Sequence, residues 1–318
     1  MKIAILTSGG DSPGMNAAVR SAVKYARSCG VGVECVRGGY TGILHSDFVT
    51  PDDGMLASCI DRGGTFLRTA RCPEFLQKEP RLRAGEILRE RGIDGLIVIG
   101  GDGSYRGAAD LARDTGIRVV GIPGTIDNDL SYTDYTLGFD TAVNNVLWSL
   151  FAMRDTMFSH NKPTIVEVMG RHCGDIALYA GTAAGADFIL LPEAPFDMNE
   201  IAAKVRARAA EGDASVLIVL AEGAGKLEDV TAEFEKLTGI SARQTRLGFI
   251  QRGGTPSHRD LLLGFEFGVA AVRALMEGRS NRVIGIRDDK IVEKDLYEAL
   301  AEPRRFNSAL YDVATHLN

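Results

Sequence analysis

Apolar and polar positions along the chain alternate between two rhythms. Short, largely apolar runs at Ile3–Leu6, Leu96–Ile99, Val119–Ile122, Ile165–Val168, Phe188–Leu191 and Val216–Leu220 predict strands buried on both faces. Between them, apolar residues return every three to four positions, which predicts helices over Asn16–Ala26, Ser104–Arg113, Phe139–Phe158 and Glu200–Ala210. The first opens after Pro13 and Gly14 and stops near Gly30; the last stops at Gly212. In the longest, Val143, Val146, Leu147, Leu150 and Phe151 are expected to share one face toward the core. Strands alternating with helices predict an α/β fold with mainly parallel sheets. No linker or tandem repeat interrupts the pattern, so composition alone draws no domain boundary.

Length and composition narrow this picture. A chain of 318 residues favours about two domains, and 45% hydrophobic with 25% charged residues excludes extensive disorder. The net charge of −6 argues against nucleic-acid binding, which draws its affinity from basic surface. Five cysteines without a C-x-x-C pair, an N-terminus too poor in apolar residues for a signal peptide, and no membrane-length apolar run predict a soluble cytoplasmic protein. Glycine is the unusual number: 37 residues, about 12% against an average near 7%. Five Gly-Gly pairs stand at 9–10, 38–39, 63–64, 100–101 and 253–254. Paired glycines in a well-patterned chain suggest backbone brought close to a ligand.

Several of these glycines stand where chemistry is expected. The first strand runs into Thr7-Ser8-Gly9-Gly10-Asp11-Ser12-Pro13-Gly14 before a helix, which presents backbone N–H groups to an anion. Neither the dinucleotide fingerprint nor the Walker spacing is present, so a simple tight turn also fits. The strand at Leu96–Ile99 ends in Gly100-Gly101-Asp102-Gly103-Ser104; a carboxylate beside phosphate-binding backbone suits Mg²⁺, and a helix cap is the plainer reading. Pro123-Gly124-Thr125-Ile126-Asp127-Asn128-Asp129 places two carboxylates in a loop after a strand, able to divide proton transfer from metal holding. Asx-turn chemistry would explain the same residues. Arg171, among glycines after a strand, and Arg252, before Gly253-Gly254, offer planar forks suited to phosphate, or are ordinary surface arginines. His172 has no zinc spacing and reads as structural.

Taken together, TSGGDSPGMNAAVR (7–20), RGGTFLRTAR (62–71), VIGGDGSY (98–105), PGTIDND (123–129), VEVMGRHCGD (166–175) and QRGGTP (251–256) closely resemble the bacterial ATP-dependent 6-phosphofructokinases in order and spacing, across essentially the whole chain. The resemblance implies a phosphofructokinase-like α/β fold of two Rossmann-like three-layer domains with largely parallel sheets. Residues 1–138 plus 251–303 would form the larger ATP-binding domain, and 139–250 plus 304–318 the smaller sugar-phosphate domain. It implies transfer of the γ-phosphoryl group of Mg·ATP to the 1-hydroxyl of fructose 6-phosphate. Asp127 would be the general base, Thr125 and Arg171 would stabilise the transferring group, and Asp102 with Asp129 would hold Mg²⁺. Gly10, Arg71, Cys72, Gly101, Asp102, Gly103 and Ser104 would line the nucleotide site. The sugar phosphate would meet Thr125, Ile126, Asp127, Met169, Gly170, Arg171, Glu222, Phe249 and Arg252, with Lys162 and Arg243 supplied by a neighbouring subunit of a homotetramer. Pyrophosphate-using relatives typically carry an acid and a lysine where this chain has Gly103 and Gly124, so the two glycines favour ATP.

The chain departs from the pattern at several places. Lys162 replaces the usual arginine and Phe249 the usual histidine, with Arg246 nearby as a potential substitute; weaker fructose 6-phosphate affinity or an altered sugar preference is expected. Cys72 and Leu76 replace an aromatic and a basic residue on the adenine side, and Tyr40 is expected near the nucleotide. At the family's effector pocket, Arg20, Lys24, Arg154, Gly185 and Asp187 approximate the pattern, but Asp53, Glu211 and Asp213 fall where basic residues are typical. Little control by ADP or phosphoenolpyruvate is therefore expected. A kinase for tagatose 6-phosphate or sedoheptulose 7-phosphate would differ only in its pocket wall. A non-catalytic sugar-phosphate regulator would have no use for both Asp102 and Asp127, and an NAD-dependent oxidoreductase would need a glycine spacing absent here.

Overall fold

The computed structural model describes residues 1–317. In chain order the elements are β1 (Lys2–Thr7), α1 (Met15–Ser28), β2 (Gly32–Val36), α2 (Gly39–Leu44), β3 (Phe48–Val49), α3 (Asp53–Ser58), α4 (Lys78–Glu90), β4 (Gly95–Gly100), α5 (Asp102–Thr115), β5 (Arg118–Pro123) and α6 (Phe139–His160). There follow β6 (Thr164–Val168), α7 (Asp175–Ala184), β7 (Phe188–Leu190), α8 (Met198–Ala210), β8 (Leu217–Ala221), α9 (Leu227–Thr238), β9 (Arg243–Arg246), α10 (His258–Met276), β10 (Arg282–Arg287), β11 (Lys290–Asp295), α11 (Leu296–Ala301) and α12 (Ser308–Leu317). Short 3-10 turns lie at Pro73–Leu76 and Gly248–Arg252. The chain divides into two compact units: Met1–Thr141 with Arg252–Arg304, and Ala142–Gln251 with Arg305–Asn318.

The first unit is built on a seven-stranded sheet in the order β11-β10-β5-β4-β1-β2-β3. Pairing is parallel except at β3 and β11, which close the two edges antiparallel. Its central strands are apolar along their middle positions because both faces are covered. Ile3, Ile5, Ile97, Ile99, Val120 and Ile122 point into the cluster under α1 and α10, while Ala4, Leu6, Leu96, Val98 and Val119 join the cluster under α2, α4 and α5. The period-two alternation of a strand thus feeds two cores rather than one core and solvent.

In the second unit β7-β8-β6-β9 form an all-parallel sheet. Ile165, Ile218 and Leu220 pack with Met198, Ile201 and Val205 of α8 and with Leu227, Val230 and Phe234 of α9. β9 carries no apolar run; it is an edge strand whose Arg-Gln-Thr-Arg sequence alternates between half-buried and exposed, which hides it from a hydrophobic pattern.

The start of α6 is fixed by a residue far along the chain. Buried Asp260 of α10 accepts hydrogen bonds from the N–H groups of Gly138 and Thr141, each at 2.8 Å, and from Thr141 Oγ1 at 2.5 Å. This is helix capping supplied from another helix. Burial outweighs those three bonds and pushes the Asp260 carboxyl up to about 6. The face expected on α6 is only partly realised: Val146 and Leu150 are buried, but Phe151 is exposed, as are Trp148 and Phe158. These three aromatics fall within about 80° of one another at ~100° per residue, so they form one apolar stripe on the surface.

Candidate active site

Both glycine-rich turns of the first unit lie at the carboxyl edge of its sheet, after the adjacent strands β1 and β4. They interlock. A Cβ on Gly100 would lie 2.5 Å from the Ser8 carbonyl oxygen and 2.6 Å from Ser104 Oγ, and one on Gly9 would lie 3.2 Å from Ser104 Oγ. Only bare backbone lets the two turns approach this closely. The turn after β1 is stitched to the 62–71 segment: Asn16 Nδ2 donates to the carbonyls of Cys59 and Arg62, each at 3.1 Å, its Oδ1 accepts from Phe66 N, and Thr69 Oγ1 donates to Gly9 O at 2.8 Å. Arg71, exposed, and Cys72, half-buried, follow directly on this stitched segment. Tyr40 is buried, stacks on Phe75 and donates to Ser104 O at 2.5 Å, so it supports the turn from behind.

Asp102 is the first residue of α5, not its cap, and Gly103 is the second; a Cβ on Gly103 would meet nothing within 4 Å. Gly101 lies against Thr125, a Cβ there standing 3.6 Å from Thr125 Cβ, which brings the loop after β5 next to the loop after β4. Asp127 N–H donates to Thr125 Oγ1 at 3.2 Å, Thr136 Oγ1 donates to Thr125 O at 2.6 Å, and Asn128 sits at φ +52°. Asp127 is buried, 3% exposed. The guanidinium of Arg252, expected at the sugar phosphate, is placed against the first glycine turn: 3.3 Å from a Cβ on Gly10 and 3.7 Å from Asp11 Oδ1. The donor set suits a magnesium ion. Asp102 and Asp129 each offer hard carboxylate oxygens, and Asp102 already holds a cation, the Arg106 guanidinium, across both of its oxygens.

The second unit holds a cluster of its own at the carboxyl ends of β6 and β8. Glu222 Oε1 accepts from the N–H groups of Gly170 at 3.1 Å and Arg171 at 2.7 Å, and Met169 N–H donates to Gln251 Oε1 at 3.1 Å. The turn is sterically obligatory at Gly170, where φ is +138° and a Cβ would lie 2.2 Å from Cys173 O. Arg171 also has a left-handed backbone, φ +55°, and is exposed. Ile126 is buried in the first unit, and Phe249 is 80% exposed in the second.

Lys162 and Arg243 are not brought to this cluster. Arg243 pairs with Thr164 at the amino end of the sheet, two residues beyond Lys162, whereas Met169 and Glu222 follow the carboxyl ends. The separation is a strand length, about 13 Å or more at ~3.3 Å per residue. Arg246 does not replace the missing polar group at 249, because its guanidinium is clasped by Glu167 and Glu228. Nothing local in the sequence signals the roles of Gln251 and Asp260, although Gln251 stands within the QRGGTP motif.

Near the expected effector positions, opposite charges are already paired. Lys24 and Arg27 each lie 3.8 Å from Asp53. Arg208 bridges Asp187 and Asp213, and Asp213 is held below the usual carboxylate range first by the Ser215 N–H and then by Arg208. Arg154 donates to Gly185 O at 3.2 Å, Arg20 lies over the Phe265 ring, and Glu211 is exposed at the end of α8.

The profile of the Phosphofructokinase family matches residues 2–275. The chain belongs to the phosphofructokinase family. It is 50% identical over 316 residues, 99% of both chains, to a protein of Clostridium acetobutylicum named ATP-dependent 6-phosphofructokinase. It is 49% identical to ATP-dependent 6-phosphofructokinase 1 of Clostridium perfringens, over 100% of this chain and 99% of that one. Among solved structures, the phosphofructokinase of Saccharomyces cerevisiae superposes with a TM-score of 0.86 at 35% identity over 99% of this chain, which spans 46% of the yeast chain. The α/β architecture of two mainly parallel sheets is therefore that of a phosphofructokinase. Among the described residues, no helix is long and apolar enough to cross a membrane.

Proposed function

We propose that this phosphofructokinase is a cytoplasmic enzyme that transfers the γ-phosphoryl group of ATP to the 1-hydroxyl of fructose 6-phosphate, with ADP and fructose 1,6-bisphosphate as products. The observation that carries the reading is the buried Asp127 in a loop seated against the glycine turn after β4. A carboxylate next to a phosphate cradle is what a hydroxyl needs to lose its proton as a phosphoryl group arrives. Gly10, Arg71, Cys72, Gly101, Gly103 and Ser104 bind the nucleotide, chiefly through backbone N–H groups. Thr125 and Arg171 donate to the equatorial oxygens of the transferring group. Asp102 and Asp129 would hold Mg²⁺, which would supply positive charge against the phosphates of the nucleotide. Met169, Gly170 and Glu222 fix the sugar, and Arg252 meets phosphate. Asp127→Asn should lower kcat by roughly 10²–10⁴-fold, the usual worth of a general base, with KM for both substrates little changed. An unchanged kcat would refute the role.

The enzyme works as a homotetramer on this reading. Lys162 and Arg243 stand a strand length from the Glu222 cluster of their own chain, so the sugar's 6-phosphate needs these cations from a second copy. The exposed stripe of Trp148, Phe151 and Phe158 supplies an apolar surface for association. Control by ADP or phosphoenolpyruvate is weak, because Asp53, Asp187 and Asp213 already neutralise the local cations. Sigmoidal fructose 6-phosphate kinetics relieved by ADP would contradict this. Loss of the histidine at 249 and of the arginine fork at 162 predicts a weakened hold on the sugar phosphate; low-micromolar half-saturation with strict fructose selectivity would refute that.

A further inference from the structure

The first turn of α5 carries an ion pair that the reaction as described does not use. Arg106 Nε donates to Asp102 Oδ2 at 2.8 Å and Nη2 donates to Oδ1 at 3.1 Å. The acid precedes the base by four residues, the favoured order on a helix, and stands at the positive end of the helix dipole. The guanidinium fork therefore engages both oxygens of the carboxylate. Magnesium requires a carboxylate oxygen at about 2.0–2.1 Å in near-octahedral surroundings. The fork takes one lone pair from each oxygen and offsets the negative charge of the carboxylate, so guanidinium and metal compete for it. Both side chains are substantially exposed, 61% for Arg106 and 43% for Asp102, so the pair opens at small cost.

We propose that Arg106 is the resident counter-cation of Asp102, displaced when a divalent metal enters, and hence a positioning residue that sets the metal affinity of the site. This rests on the reading of Asp102 as a metal ligand. Metal entry competes with the fork for the charge of this carboxylate, so the apparent affinity falls by up to the strength of the pair. For an exposed pair four residues apart that is roughly a 1.5- to 5-fold effect.

The test is a Mn²⁺ titration of the full-length enzyme at saturating ADP. Bound metal is read from loss of the free-ion electron paramagnetic resonance signal, after subtraction of a titration of ADP alone. Wild type, Arg106→Met, Asp102→Asn and the double variant are compared; methionine keeps the helix propensity and stem length of arginine. Arg106→Met is expected to lower the half-saturating Mn²⁺ roughly 1.5- to 5-fold. Asp102→Asn is expected to raise it, and to abolish the effect of Arg106→Met. An unchanged or weaker affinity in Arg106→Met, with Asp102→Asn impaired, refutes the role of Arg106 and leaves the metal reading standing. Equal tightening in both backgrounds also refutes it, because that is general relief of positive charge. No effect of Asp102→Asn removes the metal reading and the proposal together.

Discussion

Gly103→Asp separates folding from donor choice. Position 103 is the second residue of α5, and a Cβ there meets no atom within 4 Å, so the substitution needs no repacking. An acid in the first turn of a helix gains roughly 0.3–1 kcal/mol from the dipole, and relief of glycine's backbone freedom adds a few tenths. The variant should thus melt at or above the wild-type temperature. Its carboxylate would, however, stand where the proposed reading lays the nucleotide's α-phosphate. Two unit charges about 5 Å apart repel by about 3 kcal/mol at an effective dielectric of 20. Arg106, one turn along, takes back part of that. A loss of about 1.4–2.7 kcal/mol remains, or roughly ten- to a hundredfold in kcat/KM for ATP. The assay couples ADP release to NADH oxidation, with pyrophosphate as an alternative donor followed through fructose 1,6-bisphosphate. The ratio of pyrophosphate to ATP turnover should rise. A stable variant that keeps its ATP kcat/KM within about threefold would refute the argument.

Three further outcomes follow from the geometry. Asp260 has its folded pKa raised to about 6 from the unperturbed 3.8, so its charge is a cost above pH 6 and that cost disappears as pH falls toward 3.8. By linkage its contribution makes the wild type more stable at pH 5 than at pH 7, by up to about 1–2 kcal/mol, a component that Asp260→Asn should lose in urea midpoints measured across that range; an identical pH slope in both proteins would contradict the burial argument. Trp148 is the only tryptophan and is 75% exposed in the single chain, so its fluorescence should shift to the red on dilution if association covers it, and a concentration-independent spectrum would argue against this stripe as the contact. Gly170→Ala combines a φ of +138° with a 2.2 Å approach to Cys173 O, so it should raise KM for the sugar phosphate at least tenfold while leaving the nucleotide KM nearly unchanged, and normal sugar kinetics would contradict the fixed-turn account.

What the sequence reveals depends on how local the physics is. The buried strands β1, β4, β5, β6 and β8 are legible because two covered faces demand continuous apolar runs. The glycine turns are legible because close backbone approach excludes a side chain, as at Gly100 against Ser8. β9 is not, since an edge strand with one neighbour needs no apolar face. Phe151 shows the limit of periodicity: the apolar repeat that buries Val146 and Leu150 runs on to a residue left exposed in the single chain. Arg246 and Arg208 are invisible for another reason. Their partners Glu167 and Glu228 for the first, and Asp187 for the second, come from separate elements and meet only in the folded unit. Asp260 belongs to the same class, since it caps a helix that begins 121 residues earlier in the chain.

The central claim is the identity of donor and acceptor. The most direct measurement incubates the purified enzyme with ATP, Mg²⁺ and each of fructose 6-phosphate, tagatose 6-phosphate and sedoheptulose 7-phosphate, and quantifies ADP together with the phosphorylated sugar. The account predicts stoichiometric ADP and fructose 1,6-bisphosphate, with fructose 6-phosphate giving the highest kcat/KM and pyrophosphate failing to replace ATP. Faster turnover of another phosphosugar, or phosphorylation supported by pyrophosphate and not by ATP, would contradict it.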